Sequence, residues 1–420
     1  MVDCFGTIRN SSSLAHKLAQ ECIMPSSRPR STNRAWIGVA LAFYAFISIG
    51  IAEGGLGVLL PSILATYDLT PGTVTLLFLS QVTGYIVAAL ASSLLSSRMG
   101  LARMLLLAST TLTSALVIYA LTPHWPVMVA SGTLLGLGIG LIDAGINTYI
   151  ANHQQNANLI GFLHGFYGIG ALLGPAVATT LMALGLSWRL IYLVFASVVG
   201  LTVAGMLWAV VNNYKPMTVR VKAHSTDAGA SLRLALSTPT VLVAGLFLLI
   251  YVGTEASLGN WAYSVQTMSR GTPELLAGYS VSAYWLGLTV GRLGMGPVVA
   301  RLGAVQTVNV SLALLTAGLL AWWLLPGLLL SLPAIGFALA AIFPATIWLM
   351  PQRVPAAIVP AAIGFMTSVA SLGAATIPTA IGWIAARTDL EIIPALMLPL
   401  AVLMVVLHRW LVQHSPSDRN

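Results

Sequence analysis

Apolar residues fill this chain in long runs, and polar residues are confined to short breaks between them. A helix needs roughly 20 predominantly apolar residues to cross a bilayer. The runs predict spans at 35–61, 72–97, 101–121, 126–151, 159–184, 188–212, 237–264, 275–300, 303–326, 328–350, 355–385 and 390–413. The breaks are a few residues long and often carry Pro or Gly, as in Asp68–Gly72, Thr122–Pro126 and Met350–Pro355. Residues 1–34 are rich in Ser and Arg with no apolar core, so they read as a disordered cytosolic tail rather than a secretory signal. The longest internal break, 213–236, carries Lys215, Arg220, Lys222, Asp227 and Arg233 and reads as a cytosolic linker. Residues 414–420 form a second tail. The expected fold is an all-α membrane protein of twelve transmembrane helices in two six-helix bundles, 35–212 and 237–413.

The two bundles repeat one another. Ile160–Gly161–Phe162–Leu163 returns as Ile363–Gly364–Phe365–Met366, 203 residues later. Gly84 and Gly287, Arg98 and Arg301, Gly100 and Gly303, Gly170 and Gly373, and Pro175 and Pro378 keep the same step. Glu53 and Glu255, and Gly57 and Gly259, keep a step of 202. Such a register across two halves indicates duplication, which governs architecture before any local motif. In membrane proteins, two parallel halves point to a transporter with its site between them.

Composition agrees with the membrane reading. The hydrophobic share is 57% and the charged share 7%, against roughly 25% charged in soluble domains. Mean hydropathy is +0.89. The net charge of +8 is a topology signal rather than a nucleic-acid footprint. With both termini in the cytosol, all of the 19 Lys and Arg except Arg189, Arg270 and Arg387 fall on the cytosolic side, as the positive-inside rule requires. Both cysteines, Cys4 and Cys22, lie in the first tail, which leaves no disulfide framework or thiol metal site in the membrane part.

Six plus six helices, a central basic linker and charged loops after the second and eighth spans resemble the major facilitator superfamily over residues 35–413. The loop motif of that family is matched by Arg98, Gly100 and Arg103 in SLLSSRMGLAR, and by Arg301 and Gly303 in GPVVARLGA. The resemblance implies gating loops at these residues. Ser97 and Ala300 stand where the family has an acid, so the brace that the motif gives neighbouring helices is expected to be weaker or rebuilt. GLGIGLIDAGINTYI followed by GFLHGFYGIGALLGP is similar to the branch that holds the fucose–proton symporter and fungal bypass-of-stop-codon proteins. That branch places one acid on the first span and one on the fourth, which implies Glu53 and Asp143 as coupling acids and favours a sugar-like solute. The fifth span also resembles an antiporter glycine pattern through Gly161, Gly170 and Gly174–Pro175, with Ala178 in place of the last glycine. Close helix packing explains such a pattern equally well.

Three acids lie inside spans: Glu53, Asp143 and Glu255. A charge at mid-membrane costs at least ~2.5–3.5 kcal/mol, so it faces a partner or a water-filled cavity. Gly54, Gly55 and Gly57 allow the chain to loosen or pack closely around Glu53. Asn147 stands one turn from Asp143 and shares its face. His164, on the fifth span, titrates near neutrality and can relay protons to Asp143 or serve as a structural donor. The expected proton-coupling residues are Glu53, Asp143 and His164. The expected solute contacts are Asn147, Tyr167, Glu255, Asn260, Trp261 and Tyr284, with Gln81 as a further polar candidate. Arg292 reads as snorkelling or anchoring the following loop rather than binding an anion. Trp322, Trp323 and Trp410 read as interfacial belt residues.

These features point to a secondary transporter that moves a small solute with protons by alternating access. The alternatives are a proton antiporter that exports a metabolite or drug, and a non-transporting receptor or scaffold. No phosphate loop of the ATP-driven type and no nucleophile–base motif occurs, so the chain is not expected to be an enzyme. The expected partners are a solute, protons and the lipid bilayer, without metal, cofactor or nucleic acid. A monomer in the plasma membrane, or in an internal one, is expected.

Overall fold

The computed structural model describes residues 32–152, 158–218 and 228–414. Residues 1–31 of the first tail, the linker's Arg220, Lys222 and Asp227, and the last tail after residue 414 therefore lie outside the described residues, while residues 32–34, expected in the first tail, are helical. The rest is helical, and no strand occurs among the described residues. The first half holds α1 (Thr32–Gly54), α2 (Leu56–Tyr67), α3 (Leu76–Met99), α4 (Leu101–Leu121), α5 (Trp125–Asn152), α6 (Asn158–Ala183) and α7 (Trp188–Val211). The second half holds α8 (Pro239–Ser264), α9 (Glu274–Leu302), α10 (Ala304–Leu324), α11 (Ser331–Leu339), α12 (Ile342–Arg353), α13 (Val359–Ala385) and α14 (Ile392–Gln413). Among the described residues, eleven spans are long and apolar enough to cross a membrane. The eighth expected span, α9, has 29 residues. It is more polar because it carries Ser280, Ser282 and Arg292.

Two spans are broken where the hydrophobic runs are continuous. Gly55 interrupts the first, between α1 and α2. Ala340 and Ala341 interrupt the tenth, between α11 and α12. The linker also holds two short helices, Lys215–Thr218 and Ala228–Leu236. The seventh span continues past α8 as a π-helical turn, Val265–Ser269.

The duplication is visible in the packing order. In the first half α1 packs on α6, α3 on α5, and α4 on α7; in the second half α8 packs on α13, α9 on α11, and α10 on α14. Repeated glycines occupy equivalent contacts. Gly84 lies against the backbone of Thr133 and Leu137, and Gly287 against Pro333 and Phe337. Gly170 lies against Ile47, and Gly373 against Leu249. Small residues allow such backbone approach where lipid supplies no hydrophobic drive between helices. The turns after α3 and α9 match as well. Gly100 has φ 86 and ψ 155, and Gly303 has φ 78 and ψ 157, a region essentially open to glycine alone.

The halves meet through α6 on α9, α3 on α13, and α2 on α8. The tightest of these contacts lie toward the end of the bundle away from the chain termini. Gly57 touches the Gly259 carbonyl, Gly382 packs on Thr75 and Pro71, and Gly278 on Thr179. Phe78 and Trp261 meet edge to face at 5.9 Å, and Thr180 shares a 2.9 Å hydrogen bond with Tyr279. Toward the termini the contacts thin out. Gly294, Gly296 and Gly364 face open space, and Phe162 and His164 are exposed. The bundle is thus sealed at the distal end and open at the terminal end.

Candidate functional site

The three intramembrane acids sit above the opening, on α1, α5 and α8. Glu53 stands at the end of α1, just before the break at Gly55. A glycine seam fixes its surroundings: Gly50 and Gly54 of α1 pack against Tyr167 and Ala171 of α6, and Gly174 packs back on Gly54 and Gly55. The seam brings Tyr167 to Glu53, and its hydroxyl donates to Glu53 Oε2 at 2.9 Å. The glycine pattern of the fifth span is therefore used to pack α6 on α1.

Asp143 is held by two neutral donors. The Tyr85 hydroxyl of α3 donates to Oδ2 at 2.6 Å, and Asn147 Nδ2 donates to Oδ1 at 2.8 Å. Asn147 Nδ2 also reaches the Asp143 carbonyl at 3.0 Å, so its amide is directed at the acid on its own helix. His164 packs its ring edge on Phe46 at 5.8 Å and lies within electrostatic reach of both Asp143 and Arg292. Glu53 in turn senses Asp143 and Glu255. The acids and the histidine therefore form one electrostatic cluster spanning the two halves.

Glu255 has a different environment. Arg292 of α9 lies 3.2 Å from its Oε2, with side-chain exposures of 22% for Arg292 and 14% for Glu255. The Tyr251 hydroxyl donates to the same carboxylate from one turn away, and Tyr284 donates to the Glu255 carbonyl at 3.0 Å. Arg292 neither snorkels nor anchors the loop. Its guanidinium turns inward to Glu255 instead, and the pairing offsets part of the desolvation cost of both charges. Tyr85, Tyr251 and the pairing of Arg292 are not foreseen by the sequence reading. The i,i+4 spacing of Tyr251 and Glu255 is the one local signal for them.

The other expected residues divide by place. Trp261 is fully buried and donates through Nε1 to the Pro378 carbonyl at 3.1 Å, so it belongs to the distal seal. Asn260 stands beside it against Gly57. Gln81 reaches the Tyr119 hydroxyl at 3.5 Å, inside the first half. Arg98, Arg103 and Arg301 are exposed at the terminal end, and no ion pair joins them among the described residues. Trp322 is not a belt residue: it is buried beneath Arg270, whose guanidinium lies 5.6 Å from its ring. Trp323 is exposed. His408 is buried against Phe247, so it joins His164 as a second histidine inside the bundle. Among the described residues, no three His, Cys, Asp or Glu side chains converge as metal ligands.

The chain is 27% identical to Bypass of stop codon protein 6 of Saccharomyces cerevisiae, over 84% of this chain and 77% of that protein. It is 26% identical to the glucose/mannose transporter GlcP of Bacillus subtilis, over 88% of this chain and 93% of that protein. The fold matches the crystal structure of a D-xylose–proton symporter with a TM-score of 0.74 at 15% identity, over 92% of this chain and 99% of that one. It matches the crystal structure of the nucleoside transporter NupG with a TM-score of 0.70 at 15% identity, over 91% and 99% of the two chains. The family model for the Major Facilitator Superfamily matches residues 41–334. The chain is a multi-pass membrane protein that belongs to the Major Facilitator Superfamily.

Proposed function

We propose that this transporter carries a small sugar-like solute together with protons, by alternating access between its two halves. The observation that carries the reading is the state of Glu53 and Asp143: each carboxyl is held by neutral hydroxyl or amide donors and by no cation. A carboxyl inside the membrane without a fixed counter-charge can take up and release a proton, and that exchange can change which conformation is preferred. His164 is exposed to the opening and lies within electrostatic reach of Asp143, so it is suited to relay that proton. The arrangement of the halves fits a carrier open on the side of its termini. By the distribution of Lys and Arg we assign that side to the cytosol.

The sugar reading draws on the similarity to a glucose/mannose transporter and to the fold of a xylose–proton symporter. Tyr85 and Tyr167, partly buried beside Asp143 and Glu53, provide faces and hydroxyls suited to sugar rings, whereas Tyr251 and Tyr284 are fully buried. The α6 glycines, accounted for by packing on α1, add no separate weight to export. The test is hexose-driven proton movement in proteoliposomes. Wild-type protein is expected to alkalinise the side from which hexose and protons leave together. Asp143→Asn and Glu53→Gln are expected to lose that signal while retaining hexose exchange. A proton signal undiminished in both variants would overturn the coupling role.

A further inference from the structure

Among the described residues, the cation paired with an intramembrane acid is Arg292, and that pairing covers it. A guanidinium cannot lose its proton in a protein and offers five donors in a planar fork suited to carboxylates. Arg292 sits on α9 facing the first half, within electrostatic reach of Tyr167 and His164. Glu255 occupies it at 3.2 Å, and the Tyr251 hydroxyl closes the same carboxylate from the other side. Both side chains keep some exposure, 22% for Arg292 and 14% for Glu255, so the pair borders the space between the halves rather than lying inside a helix packing seam.

We propose that the Glu255–Arg292 pair is a masked anion site that sets the charge class of the solute. With both partners present, the second-half wall presents no net charge, and a neutral polyol or sugar meets it through hydrogen bonds alone. An anionic solute would have to displace Glu255, which remains tethered beside the guanidinium and competes at high effective concentration. A cationic solute meets the converse barrier, since Arg292 already holds the carboxylate. Specificity of this type is a difference between affinities, built by excluding the wrong charge. Removing one partner of a buried pair leaves the other uncompensated, and a ligand of the missing charge can then restore the balance.

The proposal rests on the reading that solute enters this cavity, but its test does not depend on transport. Purified protein is titrated with D-glucose, D-glucuronate and D-glucosamine, and binding is followed by equilibrium dialysis of the labelled sugar and by shift in apparent Tm. Wild-type protein should favour glucose over glucuronate. Glu255→Gln keeps the shape and the Tyr251 hydrogen bond but exposes Arg292, so its glucuronate-to-glucose preference should rise by about tenfold or more, a single charge contact's worth of discrimination. Arg292→Gln exposes Glu255 and should move preference toward glucosamine instead. The double variant Glu255→Gln/Arg292→Gln should return to wild-type ranking.

If Glu255→Gln does not fold, the glucosamine arm of Arg292→Gln and the double variant decide the matter alone. Folded single variants with unchanged charge ranking, or a double variant that keeps the glucuronate gain, overturn the proposal. A wild-type protein that binds no glucose while Glu255→Gln gains glucuronate would uphold the masked site and defeat the sugar reading.

Discussion

Glu53 and Glu255 occupy the same place in two copies of one fold, yet they have different company. Glu53 has a tyrosine hydroxyl; Glu255 has a tyrosine and an arginine. The same contrast recurs at the distal end. Arg189 in the first half is held by the carbonyls of Ala120 and Thr122 at 3.1 and 2.7 Å and stacks over Trp188 at 4.5 Å. Arg270 in the second half pairs with Glu391 at 2.6 Å. Both ion pairs among the described residues thus lie in the second half. Duplication preserved the frame and the glycine contacts, while the charge chemistry diverged. Among the described residues, the intramembrane carboxyls of the first half have neutral donors as partners, while Glu255 and Glu391 of the second are paired with arginines.

The largest expected effect separates the two glutamates. Glu53→Gln should uncouple transport, lowering hexose-driven proton flux by about a hundredfold or more, in the range lost when a proton-transfer group is removed. Glu255→Gln should instead alter solute binding and leave residual proton flux coupled to whatever solute still enters. Parallel measurement of the proton-to-solute ratio distinguishes these outcomes. Equal loss of coupling in both variants would erase the functional difference between the halves.

A second large effect should come from Gly57, whose copy is Gly259. These two symmetry-related positions touch one another, so the pseudo-twofold axis passes beside them. A side chain at 57 would collide with the Gly259 carbonyl. Gly57→Val should therefore hold the distal seal open. In this chain the only cysteines are Cys4 and Cys22, so a single Cys placed at Asn260 in a background lacking both reports on the seal. Its alkylation from the distal side should accelerate several-fold in Gly57→Val, whereas an unchanged rate would show that the seal yields elsewhere.

The frame of this comparison is legible in the order of the amino acids. The hydrophobic runs mark the spans, and the 203-residue register marks the halves. The register also marks Gly84, Gly170, Gly287 and Gly373, which are equivalent packing points in the folded chain. Glu53, Asp143 and Glu255 stand out because charge is so costly in lipid. Their partners do not. Tyr85 reaches Asp143 across 58 residues and Arg292 reaches Glu255 across 37, and such pairings are set by helix rotation and packing. Trp322 misleads because a tryptophan near a span end has the same sequence appearance whether it faces lipid or a buried guanidinium. The break at Ala340–Ala341 has its signal four residues on, where Pro344 cannot donate to the Ala340 carbonyl, and the sequence reading passed over it.

Smaller effects test whether the shared frame is equally stiff in both copies. Gly100 and Gly303 adopt nearly the same positive-φ conformation. Alanine at either site should cost about 1–3 kcal/mol, the usual strain of a side chain held there. Thermal unfolding in detergent should show a similar drop for both. A drop at one site alone would mean that the two turns are held by different contacts despite their matching backbone.

The smallest effect concerns the distal arginines. Glu391 is 40% exposed while Arg270 is 6% exposed, so the pair is screened on one side. Its geometry is nevertheless tight, because Arg270 Nε donates to Glu391 Oε2 at 2.8 Å and Nη2 to Oε1 at 2.6 Å. Exposed pairs are worth about 0–1 kcal/mol and weaken with salt. Glu391→Gln should accordingly lower the apparent Tm slightly at low ionic strength, and the difference from wild type should shrink at high ionic strength. Thr122→Ala in the first half removes a side chain but leaves the carbonyl that Arg189 uses, so its effect should be insensitive to salt. Melting curves at two ionic strengths read both variants together. A salt-dependent loss in the first half and none in the second would reverse the assignment of paired charge to the second copy.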